Sequence, residues 1–150
     1  MMDYPEDIRE FGYYLNSKKA VKKEKDPSEA RGIFLRLEQK FRNMEKMGID
    51  AETATDYTEN VYECLKMLVE AFMSLDGYKS YSHEATISYS VEFLDFDLGQ
   101  SAVFNKFRKI RNDISYRGDV STIDESKQIR TFFISCLEDL RIRFKEKLGD

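Results

Sequence analysis

Residues 104–118 concentrate the groups best suited to chemistry. Five bases, Lys106, Arg108, Lys109, Arg111 and Arg117, stand there against one acid, Asp113, a local charge of +4 in a chain whose net charge is −4. On a helix, at about 100° per residue, Arg108, Arg111, Asn112 and Ser115 share one face. Guanidinium forks supply charge and an amide and a hydroxyl supply orientation, the donor set that grips a phosphate. The apolar residues Val103, Phe107, Ile110 and Ile114 point elsewhere, which predicts one core face and one polar face. A solvated helix face is the alternative that periodicity leaves open.

Other chemistry-bearing residues are sparse. His83 is the only histidine, and it follows Ser82, a natural helix N-cap. A positive helix start would favour its neutral form. It reads either as a surface residue at a helix start or as a base brought to the arginine cluster by the fold. Cys64 and Cys136 each sit inside an apolar-periodic stretch and read as buried thiols. Two cysteines and one histidine do not make a conventional zinc site, and no phosphate-binding glycine loop or hydrolase triad is present, so no cofactor or metal is expected. The lysine-rich run at 18–25 reads as a solvated face or a phosphate-tracking arm. The bases Arg141, Arg143, Lys145 and Lys147 suit a helix C-terminus. Tyr81, Tyr89, Phe93 and Phe96 read as core or dimer packing, with base stacking as the alternative.

These residues need helices to position them. A first helix is predicted from Pro5, with Ile8, Phe11 and Leu15, running into the lysines. Asp26-Pro27-Ser28-Glu29 predicts a second start, with Ile33, Leu37, Phe41 and Met44 following and Gly48 as the stop. The third helix begins near Thr53 to Asp56, carries Val61, Leu65, Leu68, Phe72 and Leu75, and ends at Asp76-Gly77. The fourth starts at Ser82 and carries Ala85, Ile87, Val91 and Leu94. Gly99 marks a break, and the fifth helix stops at Gly118. A capping box, Thr122 to Glu125, opens the sixth, with Ile129, Phe133, Cys136, Leu140, Phe144 and Leu148. No period-two pattern competes. The expectation is an all-α, antiparallel (up-and-down) bundle of five to six helices with the third, fifth and sixth supplying most of the core.

Composition bounds the class. A chain of 150 residues reads as one domain, 1–150. The acidic start, Met1 to Asp7, lacks the apolar stretch of a signal peptide, and no segment approaches the ~20 apolar residues of a membrane span. A cytoplasmic location, with no membrane partner, is expected. The acidic balance argues against constitutive, non-specific nucleic-acid binding and leaves a local basic patch open.

The segment from Arg108 to Gly118, preceded by Gly77-Tyr78-Lys79-Ser80-Tyr81-Ser82-His83-Glu84-Ala85, resembles the signature region of HEPN domains, above all small prokaryotic and archaeal members. The resemblance covers roughly 55–148. The family motif is an arginine, often followed by a polar residue, then four to six positions, then a histidine. Arg111 matches the arginine and Asn112 the polar residue. Tyr116 stands where the histidine would fall, an Arg-x4-Tyr in place of Arg-x4-6-His. The resemblance implies a homodimer and metal-independent RNA cleavage by arginine and histidine at the dimer interface, in a toxin–antitoxin, stress or defence setting. A tyrosine, with a pKa near 10, is a poor base at neutral pH. The expectation is therefore RNA or nucleotide binding with weak or absent cleavage. The catalytic candidates are Arg111, Asn112 and Tyr116, and the phosphate-binding ones Arg108, Ser115 and Arg117. A non-catalytic partner module of a small nucleotidyltransferase, or a purely structural dimer, are the other readings.

Overall fold

Local capping chemistry sets most of the helix boundaries. The computed structural model describes residues 2–149, so Met1 of the acidic start lies outside the described residues. The Asp26 side chain accepts from Glu29 N at 3.0 Å and opens α2, Pro27–Met47, which Gly48 closes. α3, Ala54–Asp76, ends at Gly77 in the left-handed region. Ser82 caps α4, His83–Phe93, by accepting from Ala85 N at 3.0 Å. A capping box of Asp97 and Gln100 starts α5, Leu98–Arg117, so Gly99 lies within the first turn and is not a break. The expected box of Thr122 and Glu125 starts α6, Ile123–Leu148. The protein is an all-α bundle, and among the described residues no helix is long and apolar enough to cross a membrane.

The N-terminal segment departs from expectation. The helix predicted from Pro5 begins only at Phe11, as the six-residue α1, Phe11–Asn16. Pro5 instead closes a turn with Ile8, and Asp7 and Lys18 take positive φ on either side of α1, which no continuous helix tolerates. Within the lysine run, Ala20–Lys22 forms a strand, β1, antiparallel to β2, Tyr78–Ser80, in the register Ala20↔Ser80. Gly77 makes this ribbon possible. Its φ is +88°, and an added Cβ would lie 2.8 Å from the Lys23 carbonyl oxygen, whose own amide donates to Gly77 O at 2.9 Å.

α3 is the central helix, buried along most of its length, with α2 and α6 packed on it. Phe34 of α2 stacks on Phe144 of α6 at 4.5 Å between centroids, and Phe41 meets the buried Phe133 at 4.8 Å. The fourth helix contributes more to the core than the fifth, reversing the expected order: α4 is buried from Ala85 to Val91, whereas α5 buries Ser101, Phe104, Asn105, Phe107 and Arg108. The aromatic surface of α4 is also partly covered from within the chain. Tyr89 packs among Phe11, Tyr78 and Phe93 and donates to Asp76, and Phe96 is buried against Phe104 and Phe132. Tyr81 and Phe93 stay exposed. Both cysteines are free and buried, and desolvation pushes each thiol up to about 12, which keeps them unreactive.

Candidate functional site

α5 lies against α3 and α4 with its polar face turned inward at mid-length. Arg108 is only 8% exposed, while Val103, Ile110 and Ile114, expected in the core, are half-buried. The reason is a ready-made set of acceptors. The Arg108 Nη1 reaches Glu84 Oε1 at 3.0 Å and its Nε donates to Asn105 Oδ1 at 2.9 Å. Asn105 Nδ2 in turn donates to the Glu6 carbonyl at 2.7 Å. A guanidinium is buried at tolerable cost only when paired and hydrogen-bonded in this way. Arg108 therefore ties α5 to α4 and, through Asn105, to the N-terminal segment, with its charge already paired by Glu84.

One turn further on, Arg111 and Asn112 are half-buried, and among the described residues neither side chain makes a hydrogen bond or an ion pair. The other sequence candidates diverge from them. Ser115 is exposed and donates to Glu59 Oε2 at 3.3 Å. Tyr116 is 81% exposed at the end of the helix, and Arg117 points outward beside Asp113, 3.9 Å away. The six candidates thus do not form one groove. Arg111 and Asn112 stay together, Arg108 is internal, and Ser115, Tyr116 and Arg117 form an outer rim.

The fold brings His83 to this pair. Glu84 grips Arg108, and the charge of Arg111, one turn on along α5, acts on His83, the residue before Glu84 at the start of α4. His83 Nδ1 lies 2.9 Å from the hydroxyl of Tyr62, a fully buried residue of α3, and the two rings are parallel within 1° at 5.7 Å. Tyr62 is itself held edge-on by Phe104 of α5. Burial lowers the His83 pKa, and the positive charges of Lys66 and Arg111 lower it further against Glu63 and Glu84. Burial, more than the helix dipole expected from the sequence, is the main cause. Burial also pushes Tyr62 above its ordinary value, so it remains a phenol, opposed by the charges of Arg108 and Arg111. With its proton on Nδ1, His83 donates to the Tyr62 oxygen and presents Nε2 as an acceptor.

The arrangement is a guanidinium and a neighbouring amide on α5, both without bonded partners among the described residues, with the guanidinium acting on a neutral imidazole that is hydrogen-bonded to a buried phenol. It can hold an anion and accept a proton from a group seated on it. Tyr62, Lys66 and Glu84 went unrecognised in the sequence. The signal was an i, i+4 pair, Tyr62 and Lys66, that places a phenol and an ammonium one turn apart on α3. Among the described residues no three His, Cys, Asp or Glu side chains are placed to hold a metal ion. No protein-family model, curated protein or solved structure matches the chain, so the likeness to HEPN domains rests on the motif residues and helix order alone.

Proposed function

We propose that this chain is a HEPN-like protein that binds RNA or a nucleotide phosphate through Arg111 and Asn112, as a homodimer in a toxin–antitoxin, stress or defence setting, with slow metal-independent cleavage or none. The observation that carries the reading is the half-buried Arg111, without an ion-pair partner among the described residues, next to the neutral His83. An unpaired arginine held in a polar recess gains most from an incoming anion, because part of its hydration is already lost. His83 fills, from another helix, the chemical role that Tyr116 cannot fill at neutral pH, taking a proton from a 2′-hydroxyl while Arg111 holds the adjacent phosphate.

The test is anisotropy with a labelled single-stranded RNA, alongside cleavage in EDTA. Binding is expected to weaken with salt, and Arg111→Ala to cost about ten- to a hundredfold, the worth of one or two charge-assisted hydrogen bonds. Affinity unchanged by Arg111→Ala, or no RNA or nucleotide binding at all, refutes the reading. A second reading, the partner module of a small nucleotidyltransferase, draws support from three exposed hydrophobic residues around the α5–α6 turn, Tyr116, Val120 and Ile123, which suit a protein surface.

A further inference from the structure

Away from Arg111, α2, α3 and the β1–β2 ribbon enclose a cleft of about 450 Å³. Ile33, Met67, Met73 and Tyr78 give it an apolar lining. Seven charged residues also line it: Lys23, Arg36, Lys40, Lys79, Glu29, Glu63 and Glu70. Several are already satisfied. Lys23 pairs with Glu29 at 2.5 Å, Glu63 pairs with Lys66 at 3.3 Å, and Lys79 lies over the Tyr81 ring at 5.4 Å. That leaves Glu70, Arg36 and Lys40, which among the described residues make neither a hydrogen bond nor an ion pair. A partly buried carboxylate without a donor beside thioethers is an unfavourable arrangement that a ligand cation would relieve.

Helix geometry sets the spacing. Cys64 Sγ lies 3.6 Å from the Leu37 carbonyl oxygen, which fixes the level of α2 against the antiparallel α3. Glu70 is six residues beyond Cys64, and Arg36 is one residue from Leu37 in the same direction. The Cα positions of Glu70 and Arg36 are thus about five residues of rise, roughly 7.5 Å, apart along the axis, with both side chains lining the cleft. Lys40 lies toward the opposite end, near Glu63.

We propose that this cleft binds a small zwitterion of the basic amino-acid type, its guanidinium or ammonium group on the Glu70 carboxylate and its own carboxylate on Arg36, with the aliphatic chain over Met67 and Ile33. The charges select this class. A polyamine brings no carboxylate for Arg36 or Lys40, and a simple anion leaves Glu70 unpaired. Burial raises the Glu70 pKa, with Glu63 adding to the rise and Lys66 and Lys79 opposing it, in keeping with a carboxyl that lacks a close partner. Both side chains line the one cleft, so a ligand whose charged ends are six bonds apart, as in arginine, reaches from Glu70 to Arg36. The assignment is independent of the Arg111 site.

Isothermal titration of the full chain tests it with three probes: L-arginine, agmatine, which lacks the carboxylate, and L-citrulline, whose side chain is neutral and which keeps only the α-ammonium cation. Saturable binding of arginine is expected, with agmatine and citrulline each about tenfold weaker, the effect of losing one charged partner. Glu70→Gln should bring arginine down to the level of citrulline, and Arg36→Gln to the level of agmatine, while thermal melts of both variants stay cooperative. Absence of saturable arginine binding overturns the proposal. So does equal binding of the three probes, a comparison within the wild-type chain that needs no variant to fold.

Discussion

Arg108 and Arg111, one turn apart on α5, are expected to respond in two different assays. The side chain of Arg108 is 10% exposed and that of its partner Glu84 33%. Removing one member of a fully buried pair costs about 3–5 kcal/mol, because the other charge is stranded. Glu84→Gln leaves the guanidinium without a counter-charge, with only the neutral amide oxygens of Asn105 and the new glutamine as acceptors. Water reaches the Glu84 side of the pair, which reduces the expected loss to about 2–3 kcal/mol. Arg108→Met keeps the aliphatic packing and leaves Glu84 free to turn to solvent, so about 1–2 kcal/mol is expected. The double variant should lose less than the sum of the two singles. Arg111→Ala removes no hydrogen bond or ion pair among the described residues and should stay within about 0.5 kcal/mol of wild type while abolishing most RNA affinity. Urea unfolding followed by circular dichroism, with RNA anisotropy on the same samples, reads both effects. If Arg111→Ala destabilises more than Glu84→Gln, or if both changes at the Glu84–Arg108 pair are neutral, the division into an internal tie and a ligand-facing arginine is wrong.

Other expectations are more local. Phe133 is fully buried against Phe41, and Phe133→Ala should cost about 3–5 kcal/mol in urea unfolding; a loss below about 1 kcal/mol would contradict its place in the core. Gly77→Ala forces a side chain into positive φ and against the Lys23 carbonyl, so it should destabilise by about 1–3 kcal/mol, and hydrogen exchange should show the loss first in the ribbon amides of Val21 and Lys23. His83 has a folded pKa below its ordinary 6.5. The unfolded chain then binds more protons than the folded one in that window. Its contribution is complete above about 6.5 and is lost as pH falls toward the lowered folded value. His83→Gln should flatten that part of the stability–pH curve, and an unchanged curve would show that His83 is not held neutral by the fold.

The cleft between α2 and α3 and the Arg111 site share one helix, since Glu63 lines the first and acts electrostatically on His83 in the second. Lys66, paired with Glu63, also influences both Glu70 and His83. If both sites take their proposed ligands, a charge in one is expected to act on the other through these residues of α3. Comparing RNA affinity with and without L-arginine reads this coupling directly.

The amino-acid sequence by itself determined the helical class, the starts of α2, α4 and α6, and the ends of α2, α3 and α5. These depend on neighbours within four residues: an Asp, Ser or Thr side chain accepting from a backbone amide, or a glycine taking positive φ. It also marked Arg111 and Asn112 as unusual. Tertiary structure alone decided the rest. The β1–β2 ribbon joins three-residue segments sixty positions apart, too short to show a period and paired only because Gly77 admits the Lys23 carbonyl. Arg108 reads as a surface cation until Glu84, on another helix, and Asn105 give it reason to be buried. His83 was isolated in the sequence and became part of a site because the Glu84–Arg108 pair docks the start of α4 beside the second half of α5, with Tyr62 of α3 beneath its ring. Caps and stops follow from local stereochemistry, whereas burial of charge and convergence on a site depend on partners that only chain packing brings within reach.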